Sequence, residues 1–143
     1  MKQIEFILPA FRYGIHLITP EIISAIGILP QTGVLHLFIK HTSAGLLISE
    51  TSSVTEFNLK TFFSDLLSTQ KNAEAPFGVS QLKTEDYTEE KESSSRIKAS
   101  LVGQYLTIPI TDNKLNLGSR QGIYLCEFKH FIGKRKIIAT IIS

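Results

Sequence analysis

The chain has 143 residues, of which 43% are hydrophobic, and this predicts one globular domain, residues 1–143, with a real apolar core. Its 15 basic and 13 acidic residues nearly balance, so the charge indicates neither a nucleic-acid-binding protein nor a membrane-surface protein. We expect a cytoplasmic location, because the single cysteine, Cys126, excludes an internal disulfide and no stretch resembles a signal peptide or approaches the ~20 apolar residues of a membrane span.

The first half of the chain carries the pattern of four short strands and two helices. Alternating apolar residues predict the strands, at positions 2–8, 14–19, 33–41 and 46–50. A first helix is expected to have Thr19 as its cap and Pro20 in its first turn, and to end at Gly27. The motif Ser53-Val54-Thr55-Glu56 matches a capping box and predicts a second helix to about Ser68.

The second half begins with a polar, acidic stretch, residues 69–93, which predicts a long loop. A short helix is expected at 96–102. Further strands are predicted at 105–110, 122–128 and 135–142, with a hairpin turn at 129–134. Many strands with two or three helices predict an α+β fold made mostly of antiparallel β-sheets.

Two polar side chains end the apolar rows of consecutive predicted strands. His41 continues the row of the strand at 33–41, and Glu50 continues the row of the next strand. Small residues at 42–45 separate them, so we expect His41 and Glu50 to share the floor of a cleft. His41 is then a general base or a ligand, or else a hydrogen-bonded core histidine. Glu50 should have a partner, either a cation such as Arg96 or Arg120 or a ligand, because a buried unpaired carboxylate is unfavourable.

Other polar residues have less distinctive patterns. Glu127 shares a strand face with apolar residues and is a second candidate cleft carboxylate, whereas Cys126 faces the other way and is interpreted as a buried hydrophobe. The basic run at 134–136 coincides with the predicted hairpin and is interpreted as a solvated turn. Residues 118–122 could form a turn whose backbone N–H groups receive an anion.

Three strings of residues carry a resemblance to a known family. They are GVLHLFIKHTSAGLLISE at 33–50, RIKASLVG at 96–103 and LTIPITDNKLNLGSRQGIYLCEF at 106–128. HTSA and QGIYLCE in this order are specific strings, and together with GIHLIT and the strand RKIIATII they extend over nearly the whole chain. On these strings the chain is identified as a member of the YjbQ-like family, also called the secondary thiamine-phosphate synthase family.

The resemblance implies an α+β fold, a homotrimer and a cleft whose catalytic residues are His41, Glu50 and Glu127. Thr42 and Ser43, which follow His41 in the HTSA string, are expected to contact the ligand. The implied activity is condensation of a pyrimidine pyrophosphate with a thiazole phosphate to give thiamine phosphate. That transfer requires groups that stabilise the leaving pyrophosphate.

The chain departs from the family pattern at positions that would carry this chemistry. Family members carry three histidines that suit a divalent metal, but of that set His41 remains, Arg96 occupies one of the other positions, and the long loop has no histidine. Arg120 occupies the usual tryptophan position. We therefore expect no tightly bound metal and no other cofactor, and we expect Arg96, Lys98 and Arg120 to favour an anion.

These observations leave three hypotheses for the function. The first is a thiamine-phosphate synthase-like transferase that is weak or has lost its activity along with its metal site. The alternative is a non-catalytic trimeric module that binds a small phosphate-bearing ligand. The third is a scaffold without a small ligand. In each case the predicted partner is a second copy of the chain rather than nucleic acid or a membrane.

Overall fold

Alternating apolar residues produce strands throughout the chain, and helices form where the apolar spacing changes to three or four residues. The structure, a computed structural model, describes residues 1–67, 84–130 and 133–143. In chain order its elements are β1 (Lys2–Leu8), β2 (Gly14–Leu17), α1 (Thr19–Ile26), β3 (Thr32–Ile39), β4 (Ala44–Glu50), α2 (Ser53–Asp65), α3 (Thr84–Val102), β5 (Tyr105–Thr111), β6 (Lys114–Leu115), β7 (Gln121–Glu127) and β8 (Arg135–Ile142).

The strands form two sheets, and every pairing in them is antiparallel. One sheet has five strands in the order β1-β8-β3-β5-β6, and the other has three strands in the order β2-β7-β4. This confirms the α+β class with mostly antiparallel sheets. The predicted hairpin at 129–134 is wrong, because β7 and β8 belong to different sheets and the chain crosses from one sheet to the other between them.

The main core lies between the two sheets, whose inward faces meet in one apolar cluster. From the five-stranded sheet it takes Leu35, Leu37, Ile39, Ile108, Ile110, Ile137, Ala139 and Ile141. From the three-stranded sheet it takes Ala44, Leu46, Ile123 and Leu125, and α1 adds Ile22 and Ile26. The other face of the three-stranded sheet is covered by α2 and α3 over a second cluster that contains Ile15, Phe63, Ala99, Tyr124, Cys126 and Phe128. Residues of β7 therefore contribute alternately to two cores.

The helix boundaries differ from the predicted ones for local reasons. Ile18, not Thr19, is the cap of α1, and the Thr19 hydroxyl instead accepts a hydrogen bond from the Ile123 N–H at 2.8 Å. The Ser52 hydroxyl caps α2 by accepting the Thr55 N–H, one residue earlier than predicted. The loop prediction is wrong for residues 84–93, which are helical, and its remainder at 69–83 lies outside the described residues.

The end of α3 packs closely against β4 because glycine is present on both sides of the contact. Gly103 has φ +98°, and its carbonyl oxygen accepts the Leu46 N–H at 3.0 Å. A Cβ atom on Gly45 would lie 2.8 Å from that oxygen, so a side chain there would push the helix away. No helix in the described parts of the chain has both the length and the apolar content needed to cross a membrane.

Candidate functional site

A buried ion pair joins the two sheets at one end of the core. Glu127, the last residue of β7, has no exposed surface, and Arg135, the first residue of β8, is 6% exposed. The Arg135 Nε donates to Glu127 Oε2 at 2.7 Å, and Arg135 Nη2 donates to Glu127 Oε1. This paired geometry is the strong form of the arginine–carboxylate contact. The interpretation of residues 134–136 as a solvated turn is therefore wrong for Arg135.

Neighbouring groups complete the hydrogen bonding of this pair. The Ser43 hydroxyl accepts a hydrogen bond from Arg135 Nη2 at 3.0 Å, and the Lys129 N–H donates to Glu127 Oε1 at 3.0 Å. The carboxylate thus accepts three donors, which offsets its loss of hydration. None of these contacts uses the Nη1 atom of Arg135, and the arginine is one of the residues that line the adjacent cleft.

His41 lies two residues beyond β3, beside the ion pair. Its Nε2 accepts a hydrogen bond from the backbone N–H of Lys136 at 2.9 Å. A ring nitrogen that accepts a hydrogen bond carries no proton, so the neutral ring bears its hydrogen on Nδ1. Partial burial, and then the positive charge of Arg135, lower the pKa of His41 below its usual value of 6.5. At neutral pH His41 is a neutral donor rather than a cation.

These residues surround an open cleft of about 600 Å³. It is lined by Phe38, Ile39, Lys40, His41, Thr42, Ser43, Gln104, Lys129 and Arg135. Among the described residues, the lining includes three cationic side chains and no carboxylate, while Glu127 lies behind Arg135. Lys40 also reaches Glu5 at 3.7 Å, but both side chains are nearly half exposed and such pairs are weak. The cationic side chains of this lining are donors that suit an anion.

Glu50 is the last residue of β4, at the end of the strand that lies away from the cleft; this end is called the far end below. In the β4–β7 ladder Ala44 pairs with Glu127, whereas Glu50 pairs with Gln121. Six residues of strand separate these positions, or roughly 20 Å at about 3.3 Å per residue. The predicted cleft shared by His41 and Glu50 is therefore not formed within one chain. The Glu50 side chain is exposed, and Thr51 next to it donates its N–H to the Arg120 carbonyl oxygen at 2.7 Å.

A buried tyrosine organises this far end. The Tyr124 hydroxyl lies 3.0 Å from Glu56 Oε1 and 3.1 Å from the Glu50 carbonyl oxygen, so it donates to acceptors from α2 and β4. Burial, together with the hydrogen bond to Glu56, raises the pKa of Tyr124 to about 12. Tyr124 is thus a neutral donor that ties the start of α2 to the sheet. In the sequence pattern Tyr124 is only an apolar neighbour of Cys126, so its role as a buried hydrogen-bond donor was not predicted.

The remaining predicted ligand residues do not line the cleft. Lys98 is 7% exposed on α3 and donates from Nζ to the Tyr13 hydroxyl at 3.2 Å, on the helix side of the three-stranded sheet. Arg96 is exposed on the same helix, and Arg120 lies at the far end beside Glu50. The predicted anion-binding turn is also occupied, because the Gly118 N–H donates to Gln121 Oε1 at 2.8 Å. Of the predicted set, the structure brings together His41, Thr42, Ser43 and Glu127.

The cleft residues do not fit the divalent metal that the family pattern implies. Among the side chains that the structure describes, those of residues 1–67, 93–130 and 133–143, no group of three or more histidines, cysteines or acidic residues is placed to hold an ion. The Nε2 atom of His41 is already used by the Lys136 N–H, and the Arg135 guanidinium beside it would repel a cation. The donors that line this cleft suit an anion better than a metal ion.

The arrangement of two stacked sheets, with α2 and α3 on the outer face of the smaller sheet, defines a class of small α+β domains with solved representatives. An uncharacterised conserved protein of the YjbQ/UPF0047 family from Clostridium acetobutylicum has this fold, with a TM-score of 0.73 and 26% identity over 97% of this chain and 99% of that chain. A YbjQ-like protein of unknown function from Sulfolobus solfataricus P2 has a TM-score of 0.76, covers 99% of this chain and 96% of its own, and at 17% identity shows the fold alone.

The family itself is shown by sequence. The family model described as "UPF0047 protein YjbQ-like" matches residues 4–143. The UPF0047 protein YjbQ of Escherichia coli O157:H7 is 33% identical over 137 residues, which are 94% of this chain and 92% of that protein. The YjbQ protein of Salmonella typhimurium is 37% identical over 131 residues, 90% of this chain and 88% of its own length. The chain belongs to the YjbQ family, and the resemblance stated from its sequence is confirmed.

Proposed function

We propose that the chain binds a small phosphate-bearing molecule in the cleft beside His41. The observation that carries the proposal is Arg135, a nearly buried arginine that is anchored on Glu127 and Ser43 and lines the cleft together with two lysines. A fixed guanidinium loses little conformational freedom when a ligand arrives, and preorganised donors of this kind suit phosphate oxygens.

Each lining group has a distinct role in this proposal. Arg135 Nη1 donates to one phosphate oxygen, and the Lys129 and Lys40 ammonium groups supply positive charge at the cleft rim. His41 donates from Nδ1 as a neutral ring, so binding does not require an acidic solution. The Thr42 hydroxyl and the Gln104 amide offer further donors. The combined set matches a ligand with several anionic oxygens.

Thiamine-phosphate synthesis is the second candidate, and the same donor set favours it. The condensation releases pyrophosphate, and donors aimed at the leaving group stabilise its developing charge. In this chain Arg135, Lys129 and His41 would do so without a metal. We expect any such activity to be weak and unchanged by a chelator. A rate that a chelator abolishes and zinc restores would contradict this candidate in its metal-free form.

We also propose that the chain forms a homotrimer, as the family resemblance implies. The outer surfaces of α2 and α3 support a self-association surface, because large apolar side chains there are 45–67% exposed: Val54, Phe57, Phe62, Ile97 and Leu101. Light scattering on a sizing column tests this. A mass of one chain at micromolar concentration would rule the trimer out.

Ligand titration with a matched pair of variants tests the binding proposal. Pyrophosphate at a hundred times its dissociation constant should stabilise the fold by ~2.7 kcal/mol in thermal unfolding. Lys129→Ala removes a cation from the cleft and should weaken pyrophosphate binding about tenfold. Arg120→Ala removes a cation from the far end and should leave the affinity unchanged. The proposal fails if neither phosphate nor pyrophosphate raises the melting temperature, or if the two variants behave alike.

A further inference from the structure

Phe128 and His130, the chain neighbours of Lys129, both contact the ring of Tyr13, which lies on the helix side of the three-stranded sheet. The His130 ring lies parallel to the Tyr13 ring, with centroids 4.6 Å apart and an interplanar angle of 6°. The Phe128 ring meets the same tyrosine edge-on, at 6.4 Å and 62°. Tyr13 therefore holds both neighbours of Lys129 at once.

This double contact determines where the lysine side chain lies. Phe128 belongs to the helix-side cluster and His130 stacks on Tyr13 there, whereas Lys129 between them lines the cleft. The backbone N–H of Lys129 donates to Glu127. The segment is thereby attached on one side to Tyr13 and on the other to the buried ion pair.

Tyr13 is itself held in place by both long helices. The Lys98 ammonium group on α3 donates to the Tyr13 hydroxyl at 3.2 Å and lies 5.6 Å from the centre of its ring. The Ser64 hydroxyl on α2 lies 3.5 Å from the same oxygen. Lys98 is nearly buried, so this contact is not an incidental surface pairing. Side chains of both helices thus contact the tyrosine hydroxyl.

We infer that Tyr13 is a positioning residue for the anion cleft: through Phe128 and His130 it holds the Lys129 ammonium group over the ligand position. Lys98 then affects the ligand through Tyr13 and not by contact. The inference rests on the proposed function for its consequence in ligand binding, but the position of Lys129 can be measured without a ligand. Ordering a lysine side chain on binding is unfavourable, so loss of the support should weaken binding about threefold to tenfold.

The experiment is a double-mutant cycle on pyrophosphate affinity, measured by calorimetry. Tyr13→Leu should weaken binding in the wild-type background and have no further effect when Lys129→Ala is already present. Tyr13→Phe keeps the ring contacts and should retain more affinity than Tyr13→Leu. Leu59→Ala opens a cavity in the same helix-side cluster and should leave the affinity unchanged. Equal effects of Tyr13→Leu with and without Lys129 would overturn the inference.

Acylation of the Lys129 amine, followed by mass spectrometry, measures its position without any ligand. In Tyr13→Leu the labelling rate should rise above that of wild type and of Leu59→Ala, because the amine is no longer held against the protein. An unchanged rate in folded Tyr13→Leu would overturn the inference, whatever the affinity data show. If wild-type protein binds no pyrophosphate, the proposed function is refuted. If the Lys129 amine is nevertheless labelled faster in Tyr13→Leu than in wild type, the positioning role of Tyr13 remains supported.

Discussion

The two ends of the β4–β7 ladder contain different kinds of buried polar group. At the cleft end, Glu127 and Arg135 are both charged and nearly inaccessible, and each satisfies the other. At the far end, Tyr124 places a neutral hydroxyl between Glu56 and the Glu50 carbonyl oxygen. The difference arises because the cleft end receives a strand from the other sheet, which supplies the opposite charge. At the cleft end, burial of the Glu127 carboxylate thus depends on a cation from the other sheet.

The largest expected effect is on stability at the cleft end. Arg135→Met leaves the Glu127 carboxylate buried without its partner, and breaking a buried pair in this way costs about 3–5 kcal/mol. The double variant Glu127→Met/Arg135→Met removes both charges and should recover most of that loss. Urea unfolding of the two proteins provides the comparison. If the double variant is as unstable as the single one, the unpaired charge is not the cause.

The far end should respond more weakly to the loss of its polar group. Tyr124→Phe removes one hydroxyl and its hydrogen bonds but leaves no buried charge, so the free energy of unfolding should fall by about 1–2 kcal/mol. Pyrophosphate affinity should not change, because the cleft is at the other end of the ladder. A loss as large as that of Arg135→Met, or a change in affinity, would contradict the distinction between the two ends.

The cleft end should also make stability depend on pH near neutrality, through His41. Because the pKa of His41 is lowered in the folded protein, the unfolded chain binds a proton more readily. The contribution of His41 to stability should therefore decrease as the pH falls below the ordinary value of 6.5 towards the lowered value, and that contribution should stay constant above pH 6.5. Melting temperatures across this window should fall more in wild type than in His41→Gln. Parallel curves for the two proteins would show that His41 does not titrate as described.

The smallest expected effect concerns the rim of the cleft. Glu5→Ala removes the exposed partner of Lys40, and the stability change should be less than about 0.5 kcal/mol, as is usual for surface pairs. Pyrophosphate should bind slightly more tightly, since Lys40 loses a competing anion. Chemical unfolding and calorimetry on the same variant separate the two effects. Weaker binding would argue against Lys40 as a ligand contact.

Much of the fold could be predicted from the sequence because alternation identifies the strands and their faces. The placement of Glu127 opposite Cys126 follows directly from this period of two. The predicted meeting of His41 and Glu50 failed for another reason. It assumed that consecutive strands are neighbours, whereas β3 and β4 belong to different sheets, and no local pattern reports sheet membership.

The sequence pattern around Arg135 does indicate burial of this residue, but a second pattern indicates a solvated turn. It continues the buried row of Ile137, Ala139 and Ile141, in the same way that His41 continues its own row. The neighbouring lysines and Gly133 favoured a solvated turn instead, because basic residues near glycine usually mark one. The start of α3 was missed because residues 84–93 are almost all polar, so no apolar stripe distinguishes a helix from a loop there.

The position of β8 in its sheet has a consequence for synthesis on the ribosome. This strand lies between β1 and β3, yet it follows both of them in the chain. Until β8 has left the exit tunnel, β1 has no neighbour in its sheet and β3 has a partner on one side only. Such open edges are sites for misassembly with other nascent chains. Since Arg135 begins β8, the Glu127 carboxylate also remains without its cation until that moment, so the core at the cleft end closes only after β8 has emerged.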